Sequence, residues 1–303
     1  MKCFLQITLR VILLPLFLAA GEIACFAQAK RDSSTLNPPQ LRALELLNQM
    51  DTTSVSRFWP HVKPSLFFSN IRNNILNPGK INQGQNTNFC SYAALTHLLI
   101  RYQPDNYTEM ILSIYFTGQA KLYSKRTLKP SERVRNSAGT LKTTGEMNIH
   151  HADQLWFLTM ADGFKGYLNF FNRNYKIGDE NTFWAATNYS KFNKMLREFG
   201  GYRVNAVGSD LLRPWKKDMH GYLVSQLDTG LVMIYINNKL MYPHNFNLLK
   251  LPVPTHFVVL YELNEIDNMY QIKYWDYGLK TELLLTKKRL RKTIYGVSTI
   301  TSR

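Results

Sequence analysis

The stretch PTHFVVLYELNEIDNMYQIKYWDYG, residues 254–278, decides how the carboxyl-terminal part of the chain folds. THFVVLYEL and MYQIKYWDY are runs of β-branched and aromatic residues, and the turn-like NEIDN between them predicts an antiparallel hairpin. A hairpin of residues 256–263 and 269–276 sets His256, opening the first strand, beside Asp276, closing the second. A merely solvated histidine would be out of place at the head of so apolar a run. A carboxylate across the hairpin is suited to hold one tautomer of its imidazole.

Outward from the hairpin, LVMIYIN begins at Leu231 and LKTELLL at Leu279, and both read as further strands. The upstream texture is helical. After Pro38 and Pro39, Leu41, Leu44 and Leu47 fall on one helical face, followed by irregular chain over 51–89 with a short helix near 66–75. CSYAALTHLLIRY has apolar residues at helical spacing and follows NTN, a run of good capping residues, so Cys90 is expected at a helix amino terminus. Asp105 and Asn106 are placed to cap a second helix, YTEMILSIYFTGQAKL; 120–149 reads as basic loop; further helices are predicted over 151–161, 188–199 and 213–227. The expected class is α+β, helices first and an antiparallel sheet afterwards, with no repeats and no linker dividing the chain.

The 303 residues are 45% hydrophobic and 13% aromatic, enough for a large core. At the amino end, Lys2 and Arg10 precede VILLPLFLAA, and Ala27, Gln28 and Ala29 form a small-residue cleavage pattern. Residues 1–29 therefore read as a secretory signal peptide, too short in its apolar core to be a permanent membrane span. Cys25 offers a competing lipoprotein reading, opposed by Glu22 where such a signal wants an apolar residue. The formal charge of +16 stays strongly positive without the leader. It would suit an anionic cell-envelope surface, although a solvated basic face explains any one cluster, TKKRLRKT (286–293) included.

Of the three cysteines, Cys3 and Cys25 lie in the leader, so Cys90 has no partner for an internal disulfide in the mature chain. Such a thiol is either a small buried hydrophobe or one kept for its chemistry. Thiol catalysis needs an ionisable sulfur, a base and oxyanion donors, and a helix amino terminus favours the anion. His97, seven residues on, lies about 10 Å along the axis at roughly 1.5 Å per residue and is excluded as the direct base. His150, His151 and Asp153 suit a helix start better than a metal site; His61, His220 and His244 read as surface or loop residues. His256 with Asp276 remains.

NQGQNTNFCSYAAL, PTHFVVL and KYWDYG, in that order, resemble the papain-like cysteine peptidases, including bacterial members of the bacteriocin-leader-processing type. The resemblance spans about residues 80–290. It implies a helical half carrying the cysteine helix, packed on an antiparallel sheet carrying His and Asp. It implies Cys90 as nucleophile, His256 as general base and acid, Asp276 as its orienting group and Gln83 as oxyanion donor. Position 84, where the family's spacing would put the glutamine, is Gly; Gln85 is the other candidate.

The resulting expectation is a signal peptide (1–29), an amino-terminal arm (30–79) and a papain-like domain (80–303), secreted or periplasmic. The domain would act on protein or peptide substrates, without cofactor or metal and without nucleic acid as partner. Two other readings stay open: a transglutaminase-like or cell-wall amidase enzyme with the same triad, and a non-catalytic, toxin-like binding protein that keeps the fold.

Overall fold

A computed structural model describes residues 36–84, 87–141, 149–164, 167, 174–241 and 254–302; the expected signal peptide, Gln85 and His244 lie outside them. Pro38–Arg303 forms one compact unit of mixed α+β structure. Its helices are α1 (Pro38–Asn48), α2 (Pro64–Leu76), α3 (Cys90–Tyr102), α4 (Pro104–Thr117), α5 (Glu132–Ser137), α6 (His151–Phe164), α7 (Tyr189–Gly200), α8 (Met219–Thr229), α9 (Asn238–Met241) and α10 (Lys287–Thr293). A small ribbon pairs β1 (Ala120–Lys121) with β2 (Thr127–Leu128). The main sheet contains β3 (Arg203–Gly208), β4 (Leu231–Ile236), β5 (His256–Ile266), β6 (Met269–Asp276), β7 (Leu279–Thr286) and β8 (Ile294–Thr301), in the order β3-β8-β4-β5-β6-β7, every pair antiparallel.

Strand alternation splits the interior into two cores. Met233, Tyr235, Phe257, Val259 and Trp275 face the large helical side. Val232, Ile234, Val258, Leu260, Ile272 and Tyr274 face a smaller core closed by Met219 and Leu223 of α8 and Leu290 of α10. The sheet is thus covered on both faces, where the sequence suggested one helical wall. Residues of the expected arm, among them Leu47, Trp59, Phe67 and Ile71, are buried within the large core.

The boundaries differ from the expectation in instructive ways. The β5–β6 turn is only Asp267–Asn268, with φ of 50° and 61°, the left-handed pair of a type I′ hairpin. Asn264 and Glu265 are polar because they are exposed, although they belong to the strand. Helix α4 starts at Pro104, with Gln103 at the cap position and no side-chain cap, so Asp105 and Asn106 lie inside its first turn. The loop expected over 120–149 contains the ribbon and α5. Residues 213–218 are not helical; Asp218 accepts from Gly221 N and starts α8 there.

His97 braces α3 against β6. Its ring stacks on Trp275 at 4.5 Å between centroids, Nδ1 lies 2.7 Å from the Pro78 carbonyl and Nε2 lies 2.7 Å from the Tyr261 hydroxyl. Burial pushes this imidazole down to about 3, helped by Arg101 and opposed by the Pro78 contact. The folded value lies below the unfolded one near 6.5, so the unfolded chain takes up the proton first. Stability is expected to decline as pH falls from about 6.5 towards 3, and a His97→Asn variant, weaker at neutral pH, should show a shallower decline in denaturant titrations.

Candidate active site

Cys90 is the first residue of α3, as its sequence context indicated, but the cap differs from the expected one. Phe89 holds the cap position and offers no side-chain bond. Asn88, the nearest capping residue, is engaged elsewhere: its Nδ2 donates to the Thr182 carbonyl at 3.0 Å and its backbone N–H to the Glu180 carbonyl at 2.8 Å. The first-turn amides of α3 have no intrahelical acceptor, the usual condition of a helix start, and they can serve an anion formed beside Cys90. The thiol is partly exposed and lies 3.8 Å from the carbonyl of Thr255, the residue just before His256.

His256 and Asp276 meet at the open end of the β5–β6 hairpin. Nε2 lies 2.5 Å from Asp276 Oδ1, and both side chains are buried. With the carboxylate accepting, Nε2 carries the hydrogen and Nδ1 is the ring nitrogen that does not face Asp276 Oδ1. The pairing depends on a register shift. Val259 and Leu260 oppose Trp275 and Tyr274, whereas Glu262 opposes Lys273, so Tyr261 is the inserted residue of a β-bulge. Beyond it Leu263 faces the smaller core; before it Val258 and Leu260 do, and His256 continues that alternation. Tyr270, Ile272 and Tyr274 of β6 face the same core and lead in alternation to Asp276. The bulge therefore brings imidazole and carboxylate to one face.

Burial works against an imidazolium here, but the Asp276 charge, the Tyr277 neighbourhood, the hydrogen bond to Asp276 and the nearby Cys90 side chain outweigh it. The His256 ring is held well above its ordinary value. The same shift links to stability: the contribution is complete below the unfolded value near 6.5 and is lost as pH rises through the folded value. Asp276→Asn keeps a hydrogen-bonding side chain and removes the charge. The alkaline limb of any His256-dependent reaction is then expected to move to lower pH, with neutral-pH turnover about 10- to 100-fold lower, read from a pH–rate profile.

Gln83 is buried in the loop before α3. Its amide nitrogen reaches the Thr87 carbonyl only at 3.5 Å, while the Thr87 hydroxyl donates to the Gln83 carbonyl at 2.7 Å. The loop is closed, and the carboxamide is weakly committed within it. Gly84, at φ 82°, holds a conformation that side-chain-bearing residues rarely adopt, and a Cβ there would crowd the Ile149 side chain.

Three tyrosines, Tyr92, Tyr235 and Tyr277, lie in the neighbourhood of Cys90. Tyr277 stacks on His256 at 4.7 Å and occupies the left-handed region at φ 48°, uncommon for a bulky residue. With Gly278 it makes the two-residue turn into β7, so the sequence signal was the residue pair between Asp276 and LKTELLL. The Tyr235 hydroxyl lies between Asp210 Oδ1 at 3.2 Å and the Pro254 carbonyl at 3.3 Å. Burial raises the hydroxyls of Tyr92, Tyr235 and Tyr277 above the ordinary phenol value. Asp210 also accepts from the Tyr167 hydroxyl at 2.8 Å and from the first amide of α7, Tyr189 N, at 3.1 Å.

No family model, curated protein or solved structure matches the chain. The remaining histidines are placed by their own contacts. His151 Nδ1 accepts from Lys63 N at 3.1 Å, and the start of α6 is capped by Asn70, whose Oδ1 accepts from Ala152 N and Asp153 N. Asp153 is raised to about 6 by burial, against donors from Asn74 and Asn70. Among the described residues, no group of three or more His, Cys, Asp or Glu side chains is arranged to hold a metal ion. His220 stacks on Tyr270 at 4.4 Å.

Proposed function

We propose that this chain is an exported cysteine peptidase of papain-like fold that hydrolyses amide bonds through Cys90, His256 and Asp276. The observation that carries the reading is the set of groups gathered at one point: a partly exposed thiol at a helix start, 3.8 Å from the Thr255 carbonyl, and next in the chain an imidazole that a buried carboxylate holds at 2.5 Å. A buried structural histidine needs no partly exposed thiol beside it, whereas a thiol nucleophile needs both neighbours.

In this reading the Cys90 thiol gives its proton to His256 Nδ1 and the sulfur bonds to the substrate carbonyl carbon, whose oxyanion takes hydrogen bonds from the Cys90 backbone N–H and the Gln83 carboxamide. His256 Nδ1–H gives its proton to the departing amine as the C–N bond breaks, leaving a thioester. Water then attacks that thioester, Nδ1 takes its proton, and the carboxylic acid leaves with the thiol restored. Asp276 remains a carboxylate and orients the ring throughout. A signal peptide over residues 1–29 would deliver the enzyme to the periplasm or medium.

The test offers fluorescent casein and purified muropeptides in parallel. Casein turnover that is blocked by iodoacetamide supports the peptidase. Turnover of muropeptides alone would replace it with a cell-wall amidase, and no turnover of either, with Cys90 alkylated no faster in wild type than in His256→Ala, would leave a binding protein.

A further inference from the structure

The loop between β3 and α8, SDLLRPWKKD (209–218), holds its large apolar side chains outward: Leu211 is 81% exposed, Leu212 75% and Trp215 93%. This exposure is built. Ser209 Oγ accepts from Leu211 N and Leu212 N, Ser209 N bonds the Leu212 carbonyl, and Pro214 is buried. Arg213 ties the loop to the end of α10 and the start of β8, donating to the Lys292 carbonyl at 2.8 Å and to the Tyr295 hydroxyl at 2.6 Å. The two acidic residues are occupied, Asp210 by Tyr167 and Tyr189 and Asp218 as the α8 cap.

Basic residues continue the surface. Lys217 and His220 share a groove of about 270 Å³ with Lys287, Lys288 and Arg291, floored by Tyr270. Of the basic residues in α10, Arg289 is spent on the carbonyls of Leu240 and Met241, while Lys287, Lys288, Arg291 and Lys292 are exposed.

We infer that this face docks on an anionic lipid surface, with Leu211, Leu212 and Trp215 entering the interface and Lys216, Lys217 and the α10 cations over the headgroups. A tryptophan beside two leucines, projecting and flanked by lysines, matches the chemistry of that boundary: an apolar edge, an amphipathic ring and negative charge above. Nucleic acid would use the ring and the cations and leave the leucine pair in water. The inference stands independently of the peptidase reading.

Trp215 provides its own reporter, because Trp59, Trp156, Trp184 and Trp275 are buried. The full chain is titrated with vesicles of phosphatidylcholine alone and with 30% phosphatidylglycerol. Anionic vesicles are expected to shift the emission to the blue and to shield it from acrylamide; neutral vesicles leave both unchanged. Leu211→Ser with Leu212→Ser should lose the shift. Lys287→Glu with Lys288→Glu and Arg291→Glu should weaken it about a hundredfold, taking about fivefold per basic residue. Every substituted position is exposed, and an unchanged melting temperature confirms the fold. No shift with anionic vesicles, a shift retained by the leucine variant, an equal shift with heparin, or a concentration-dependent shift without vesicles would each overturn the inference, the last in favour of self-association.

Discussion

Cys90→Ser is expected to reduce casein hydrolysis by at least about 10⁴-fold while leaving the melting temperature nearly unchanged. The oxygen substituted for sulfur is close in size, and the site is a partly exposed helix start, so little packing is lost. The hydroxyl is a far weaker nucleophile, and residues that act as one catalytic unit lose most of the rate when any one is removed. His256→Ala should give a loss of the same order, and the double variant scarcely more. It should also slow alkylation of Cys90 by iodoacetamide at neutral pH about tenfold or more, because the reaction loses the base that accepts the thiol proton. Full activity in Cys90→Ser would end the proposal.

Deleting Tyr261 is the second large effect, and it contrasts with Tyr261→Phe. Without the inserted residue the β5–β6 ladder continues in the register of Glu262–Lys273. Every residue before position 261 then turns to the opposite face, His256 with them, away from Asp276. The alternative is a shift of the strand's apolar residues between two cores that were filled for the other register. Either outcome should abolish hydrolysis and lower the denaturation midpoint. Tyr261→Phe keeps the bulge and loses only the hydroxyl that meets His97, costing about 1–3 kcal/mol with the active site retained. The two variants are compared by urea denaturation and casein turnover. Deletion protein with near-normal turnover would show that the bulge does not position His256.

The hairpin, the α3 start and the His256–Asp276 contact were legible because each follows from local pattern: alternation, helical spacing and a polar residue where an apolar run begins. β8 was not, although it lies between β3 and β4 in the sheet. Its sequence, IYGVSTIT, mixes polar residues with a glycine, and its place in the core depends on distant partners. Ser298 Oγ meets Tyr189 OH and Asn193 Oδ1, and Gly296 lies so close to the Tyr189 ring that a Cβ would meet it at 2.5 Å. Asp210 was unreadable for the same reason, since its three tyrosine partners come from other segments. The cap of α3 misled because Asn88, a good capping residue by type, is drawn away by Glu180 and Thr182.

The β-bulge also has a counting consequence. In an unbroken hairpin with a two-residue turn, two residues on opposite arms that share a face differ in position by an odd number. His256 and Asp276 differ by 20. An even separation around such a turn requires one inserted residue, and that can be checked by counting letters alone. Any other chain with this hairpin chemistry should keep the parity: a single insertion or deletion within the arms must be matched by a second, or the site is lost.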